Sequence, residues 1–313
     1  MRSVLPSTEV SVGDAVLRAL CVLAGLLAGL ILVDVAYQVI SGAHPSISRF
    51  GLGFVGHVEW APNFGRFGAA AMLYGTAVSS LIALVIATPV AIAIAIYLSL
   101  MAPRSVRVIV GPLVEMLAAI PSVILGFWGI IVLAPFMQAH IEPALHSVLG
   151  FTGAFGAPQT TGLSVFTAGV ILTVMVVPII ASLSRDLFLT VPRELTEGAE
   201  ALGATRWELI RGVVLPTTFS GVSAAVMLGL GRALGEAIAV ASVIGAGNVI
   251  HPSVFETGNT LAARIALEIT YPISKLQTAS LFYLALILLA IGVVTNLIAR
   301  AIASRFDVHQ SFV

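Results

Sequence analysis

Long apolar runs alternate with short polar connections along most of this chain. Six of the runs hold about 20 or more residues, the length that a helix needs to cross about 30 Å of hydrocarbon. They lie near residues 19–40, 72–100, 106–136, 163–183, 222–243 and 276–298. Backbone groups cannot remain unpaired in lipid, so these segments are predicted to be helices rather than open strands. The predicted fold class is all-α: a polytopic membrane protein with six transmembrane helices.

The composition agrees with a lipid environment. Hydrophobic residues make up 58% of the 313 residues and charged residues only 10%, which is far from the usage of soluble domains. The formal net charge is zero, so no basic face indicates binding to nucleic acid. Membrane lipid is the predicted surrounding, and a single cysteine, Cys21, excludes an internal disulfide.

The cationic residues predict the orientation, because positively charged loops are retained in the cytoplasm. With the N-terminus inside, the cytoplasmic cations are Arg2, Arg18, Arg104, Arg107, Arg185, Arg193, Arg206, Arg211, Arg300 and Arg305. The external cations are fewer: Arg49, Arg66, Arg264 and Lys275. We therefore predict a cytoplasmic N-terminal segment at 1–18, a transmembrane domain at 19–300 and a cytoplasmic C-terminal tail at 301–313.

The longest charged interruption lies at residues 190–216, on the predicted cytoplasmic side. Leu195, Ala199 and Leu202 recur at helical spacing, and further apolar residues do so after Gly203. The pattern predicts two short helical pieces hinged at Gly203, with an apolar strip and a charged rim. Such a surface fits a groove on a partner protein. The alternative is a helix lying on lipid headgroups, which four glutamates in the loop disfavour.

Arg232 and Glu236 place two charges inside the fifth apolar segment. An isolated arginine there costs at least about 2.5–3.5 kcal/mol, and Glu236 lies within reach at i+4 on the same helical face. Gly231 and Gly235 have the small-xxx-small spacing that lets another helix approach closely. The pair either fixes helix packing or lines an anion pathway, in which Arg232 contacts an oxyanion and Glu236 tunes that contact.

The sequence carries no motif of a catalytic centre. Its only lysine is Lys275, so the chain lacks the glycine-rich loop ending in Gly-Lys-Ser/Thr that binds ATP. Its histidines do not have the spacing of metal ligands, and there is no nucleophile elbow. We predict a transport protein without catalytic residues, cofactor or metal, in which any ATP hydrolysis belongs to another chain.

Two groups of motifs resemble a known transporter family. The first has the spacing of the EAA loop of ABC importer permeases: Glu197, Gly198, Ala199, Gly203, Leu215 and Pro216. The second is similar to the PstC-type subunit of the phosphate ABC importer: Tyr74-Gly75-Thr76, Ala118-Ala119-Ile120-Pro121-Ser122, Ser184-Arg185-Asp186 and Gly229 to Glu236. The resemblance implies a type I ABC importer permease whose loop at 190–216 contains a cytoplasmic coupling helix.

The resemblance also implies a cargo and partners. The cargo is inorganic phosphate, moved across a bacterial plasma (inner) membrane along a pathway that includes Arg232 and Glu236. The implied partners are a PstA-type sister permease, two copies of a PstB-type ATPase subunit and an extracytoplasmic phosphate-binding protein of the PstS type. The residues of the EAA-type loop are implied to couple this chain to the ATPase.

The residues alone leave other functions open. The cargo could be another tetrahedral oxyanion. A proton-coupled secondary transporter would use Glu115, Glu236 or Asp34 as proton sites and would work without an ATPase. An ion channel or a membrane scaffold would use the loop at 190–216 to bind a regulatory protein.

Overall fold

A computed structural model of the protein describes residues 12–305, and it is built from helices joined by mostly short connections. The helices are α1 (Val12–Phe50), α2 (Gly53–Gly56), α3 (Ala70–Met101), α4 (Arg104–Ala118), α5 (Ser122–Thr152), α6 (Val165–Leu189), α7 (Arg193–Ala201), α8 (Arg206–Gly235), α9 (Ile238–Val243), α10 (Leu261–Glu268) and α11 (Lys275–Arg305). The predicted segments at 1–18 and 301–313 lie partly outside the described residues.

Six of these helices are long and apolar enough to cross a membrane: α1, α3, α5, α6, α8 and α11. The prediction of an all-α protein with six such helices is therefore confirmed for residues 12–305. α6 is the most buried of the six, and it packs between α3 and α8. Small and branched side chains such as Ala87, Ile171 and Val243 fill the core around it.

The third predicted segment, 106–136, is wrong as a single helix. α4 ends at Ala118, and α5 begins at Ser122 after a break at 119–121. Pro121 explains the break, since proline has no N–H to donate and disfavours helical geometry in the residue before it. α5 then continues to Thr152, well beyond the predicted end.

The helix predicted at 222–243 begins and ends earlier in the chain than expected. α8 begins at Arg206, inside the charged loop, and ends at Gly235. Glu236 has an extended backbone, with φ −73° and ψ 122°. Its carboxylate accepts a hydrogen bond of 3.2 Å from the N–H of Ala239, which satisfies a donor at the start of α9. The polar side chain thus begins a new helix where the apolar pattern predicted a continuous one.

A polar cluster joins the segment between α2 and α3 to the region between α9 and α11. Glu268 accepts hydrogen bonds from Trp60 Nε1 at 3.0 Å and from Gln277 Nε2 at 2.7 Å. Arg264, one turn earlier on α10, pairs with Glu268 at 2.6 Å and also contacts Asn248. The cluster therefore joins four parts of the chain: the segment after α2, the connection that follows α9, helix α10 itself and the start of α11.

The Tyr74-Gly75-Thr76 motif attaches the connection before α10 to α3. The Tyr74 hydroxyl donates to the carbonyl of His251 at 2.9 Å, and the Thr76 hydroxyl accepts from the N–H of Leu261 at 3.0 Å. A Cβ atom on Gly75 would overlap the carbonyl oxygen of Asn259. Glycine is needed here because two backbones approach each other without room for a side chain.

Replacing Gly75 by alanine is expected to destabilise the protein by about 1–3 kcal/mol, because an extra methyl group must push a packed backbone aside. The measurement is the thermal unfolding midpoint of the purified protein in detergent. Gly292→Ala on α11 is the matched control, since a Cβ atom there meets nothing within 4 Å. Equal midpoints for the two variants would contradict the assigned contact.

Candidate functional site

The corner between α7 and α8 is a Schellman motif, in which a left-handed residue closes a helix. The N–H of Gly203 donates to the carbonyl of Glu200 at 2.9 Å, and the N–H of Ala204 donates to that of Ala199 at 3.1 Å. Gly203 has φ +83°, a conformation that costs other residues about 1–2 kcal/mol. The predicted pair of helical pieces on either side of Gly203 is confirmed.

α8 begins directly after this corner with a capping box. The Thr205 hydroxyl accepts from the N–H of Glu208 at 3.4 Å, and the Glu208 carboxylate accepts from the N–H of Thr205 at 2.8 Å. The Thr-x-x-Glu pattern signals a helix start, and sequence reasoning missed it. The second helical piece was predicted to be short; in the structure it is the first part of α8, which runs from Arg206 through Leu215 and Pro216 to Gly235.

The exposed side of the corner, called the coupling surface from here on, has large apolar residues among charged ones. Its apolar members are Leu195, Leu202 and Trp207, which are 48%, 91% and 66% exposed. Its charged members are Arg193, Glu194, Glu197, Glu200 and Arg206. Exposed leucine and tryptophan side chains among charged residues are typical of a protein contact.

The residues with EAA-type spacing divide into two groups. The exposed ones are Glu197, Gly198, Gly203 and Pro216. Ala199 and Leu215 instead pack against a buried apolar cluster around Phe188. The predicted strip is therefore wrong at Ala199, which attaches α7 to the bundle. Trp207, which the spacing of smaller apolar residues did not reveal, takes a place on the exposed side.

Arg232 and Glu236 form an ion pair at the end of α8. The distance from Arg232 Nη2 to Glu236 Oε2 is 3.2 Å, and the two side chains are 45% and 4% exposed. Arg232 lies in the last turn of α8 rather than in the middle of a continuous helix. The pair predicted from the i+4 spacing is therefore formed, with its glutamate buried and its arginine accessible.

Buried backbone holds the carboxylate of this pair in place. Glu236 Oε1 accepts the N–H of Ala239, while Oε2 faces Arg232. α9 in turn lies against α5, where a Cβ atom on Gly126 would be 2.9 Å from Ser242 Oγ and 3.1 Å from Ala239 Cα. Glu236 is thus held by contacts with α8 and α9. The guanidinium of Arg232 is the accessible member of the pair.

The α8 face that carries Arg232 is open. Gly231, Arg232 and Gly235 are exposed, and Leu228, one turn before Arg232, is 58% exposed. A Cβ atom on Gly231 or Gly235 would meet nothing within 4 Å in the part of the chain that the structure describes. The close helix contact predicted from these two glycines is therefore not made within residues 12–305.

The pair can offer an anion a weak, well-directed contact. A guanidinium has five N–H donors in one plane, and Glu236 occupies only one side of it. Paired donors of this kind match the oxygens of phosphate or sulfate. The adjacent carboxylate lowers the net positive charge, which weakens anion binding and favours release.

Comparisons with known proteins agree with one another. The profile of the family described as "Binding-protein-dependent transport system inner membrane component" matches residues 87–308. The chain is 42% identical to the phosphate transport system permease protein PstC of Mesorhizobium japonicum, over 94% of this chain and 91% of that protein. It is 42% identical to the PstC of Pasteurella multocida, over 89% and 88% of the two chains. For the PstC of Haemophilus influenzae the identity is 37%, over 94% of each.

Among solved structures, the chain resembles a bacterial alginate ABC transporter determined with an alginate-pentasaccharide-bound periplasmic protein. The TM-score is 0.61 at 18% identity, and the match covers 93% of this chain and 98% of the other. At this identity the likeness concerns the fold, which is that of an ABC transporter membrane subunit.

Proposed function

The chain belongs to the binding-protein-dependent transport system inner membrane components, and we propose that it is the permease subunit of an ATP-driven ABC importer for inorganic phosphate. The observation that carries the proposal is the identity of about two residues in five, over nearly the whole chain, with relatives named as phosphate transport permeases. The chain is a multi-pass membrane protein and a transport subunit rather than an enzyme.

The accessible guanidinium of Arg232 supports a role in the substrate pathway. Phosphate would contact its free N–H groups during transit, while Glu236 keeps that contact weak. The alternative of a purely structural pair is disfavoured by the exposure of Arg232, because a partly exposed ion pair contributes little to stability. We therefore assign Arg232 as the phosphate contact and Glu236 as the group that tunes it.

The coupling surface is proposed to seat in a cleft of a PstB-type ATPase subunit. Leu195, Leu202 and Trp207 supply apolar anchors, and the glutamates and arginines around them supply a polar rim. The corner at Gly203 fixes the angle between α7 and α8, so a push on α7 reaches α8 directly. Two copies of the ATPase are proposed for the complex, one on each permease.

The open face around Gly231 and Gly235 is proposed to meet a PstA-type sister permease. Small residues at this spacing let two helices approach closely, and such a contact would enclose Arg232 between the two permeases. The long connections at 41–71 and 245–275 are proposed to receive a PstS-type phosphate-binding protein. In this arrangement both termini and the loop at 190–216 are cytoplasmic, in agreement with the distribution of cations.

A proton-coupled mechanism is disfavoured by the surroundings of the candidate carboxylates. Glu115 faces Arg185 at 2.8 Å, and Glu236 faces Arg232 at 3.2 Å. Both carboxylates are thus engaged as ion-pair partners of arginines, and a transporter that works without an ATPase would leave the coupling surface without a function.

Uptake of radiolabelled phosphate tests the proposed function. Bacterial cells that lack this chain are expected to lose high-affinity uptake and to regain it when the chain and its partner subunits are expressed. Sulfate is the control substrate, and its uptake is expected to stay unchanged. Restored sulfate uptake would assign another oxyanion as cargo, and uptake of phosphate without any ATPase would refute the importer.

A further inference from the structure

An ion pair connects α6, the helix before the coupling surface, with α4, which packs beside it. Arg185 lies near the end of α6, and its Nη2 is 2.8 Å from Glu115 Oε1 on α4. The same guanidinium bonds Asp186, its neighbour on α6, at 2.8 Å. The Arg185 side chain is only 18% exposed, whereas those of Glu115 and Asp186 are 51% and 62% exposed. Because Asp186 lies on α6 itself, the bond to Glu115 is the one that connects Arg185 to another helix.

The guanidinium of Arg185 lies close across one face of α4. A Cβ atom on Gly111, one turn before Glu115, would be 3.1 Å from Arg185 Nη1. The other end of α4 is tied down separately, because Arg107 Nη2 donates to the carbonyl of Ser99 at 2.8 Å. Besides its packing against α6, α4 is thus held by two arginine side chains, and the one near its C-terminal end is Arg185.

From α4 the contacts continue to the Arg232–Glu236 pair. Glu115 is three residues from the end of α4, and α5 begins after the break at 119–121. The first turns of α5 lie against α9 at Gly126, whose hypothetical Cβ atom is 3.1 Å from Ala239 Cα. The N–H of Ala239 is bonded to Glu236. An unbroken series of packed groups therefore runs from Arg185 to Glu236.

At its other end the series begins beside the coupling surface. Only residues 190–192 separate the end of α6 from the start of α7, so a movement of α7 shifts the end of α6 that carries Arg185. Helices are stiff on this scale, whereas the break at 119–121 can bend. A displacement at Glu115 would therefore reorient α5 relative to α4.

We propose that Arg185 is a positioning residue that transmits movement of the coupling surface to the Arg232–Glu236 pair through Glu115, α5 and α9. The inference rests on the proposed function, since it requires an ATPase that acts on α7. Partly exposed ion pairs contribute little to folding stability. A purely structural Arg185–Glu115 pair would therefore leave transport nearly unchanged when one partner is neutralised.

The test uses the complete transporter complex in proteoliposomes, with phosphate uptake and ATP hydrolysis measured on the same sample. Glu115→Gln and Arg185→Gln are each expected to lower the phosphate moved per ATP hydrolysed about tenfold, a usual size for coupling between sites. The charge-swapped double variant, Glu115→Arg with Arg185→Glu, is made together with Asp186→Asn so that no like charge lies beside the new glutamate, and it is expected to recover most of the ratio. Asp186→Asn is the matched control, because it removes a carboxylate from the same guanidinium without touching α4, and its ratio is expected to stay at the wild-type value.

Two results would overturn the inference. One is a wild-type ratio in both single variants, and the other is a double variant no better than the singles. A wild-type complex without ATP-driven phosphate uptake would instead refute the proposed function itself, before any variant is compared. The two failures are therefore distinguishable.

Discussion

Arg232→Gln is expected to lower phosphate uptake about 10–100-fold while the complex still assembles. A hydrogen bond to a charged group is worth about 1.5–3 kcal/mol, and every 1.4 kcal/mol corresponds to about a tenfold change. Glutamine keeps a polar side chain but loses the charge and the planar pair of donors. The measurement is radiolabelled phosphate uptake by cells in which the amount of membrane-inserted complex has been verified.

Glu236→Gln is expected to impair uptake for the opposite reason. The amide oxygen can still accept the N–H of Ala239, so the start of α9 keeps its hydrogen bond. Without the carboxylate, however, the Arg232 charge is no longer offset, and phosphate is held too tightly for fast release. Phosphate retained by the purified complex should therefore rise in this variant and fall in Arg232→Gln.

The matched control for both variants is Arg300→Gln. Arg300 is an exposed arginine near the end of α11, outside the Arg232–Glu236 pair, the coupling surface and the connections proposed to receive the binding protein. Its loss is expected to leave uptake unchanged. Normal uptake by both Arg232→Gln and Glu236→Gln would refute the assigned pathway.

Gly203→Leu is expected to release the ATPase from the permease. The left-handed backbone at φ +83° costs a leucine about 1–2 kcal/mol, which lowers the population of the correct corner about 5–30-fold. The new side chain would also project from the coupling surface, since a Cβ atom there meets nothing within 4 Å. The measurement is copurification of the ATPase with a tagged permease.

Gly153→Leu is the control for Gly203→Leu. It introduces a leucine at another left-handed position, and so distinguishes the effect of backbone strain in general from the loss of the docking site. Gly153 has φ +73°, and its Cβ position is also open, but it follows α5 in a connection remote in sequence from the coupling surface. This control is expected to retain the ATPase in full. If Gly203→Leu retained it equally well, the coupling surface would not be the docking site.

Local signals explain how far the site could be predicted from sequence. The Gly203 corner and the Arg232–Glu236 pair each involve residues within five positions of one another, so their spacing in the sequence was enough to predict them. The capping box of Thr205 and Glu208 was equally local and went unnoticed. Pro121 was visible too, yet the apolar run around it predicted one helix where the structure has two.

The sequence by itself determined the six membrane helices, the hinge and the charged pair, because hydrophobic length, glycine conformation and i+4 spacing act within a few residues. Only the tertiary structure decided that Ala199 turns inward, that Arg232 stays accessible and that Arg185 meets Glu115 across 70 positions. Burial and such long-range contacts depend on how whole helices pack. Packing is set by the combined shape of several segments, so no local pattern in the chain encodes it.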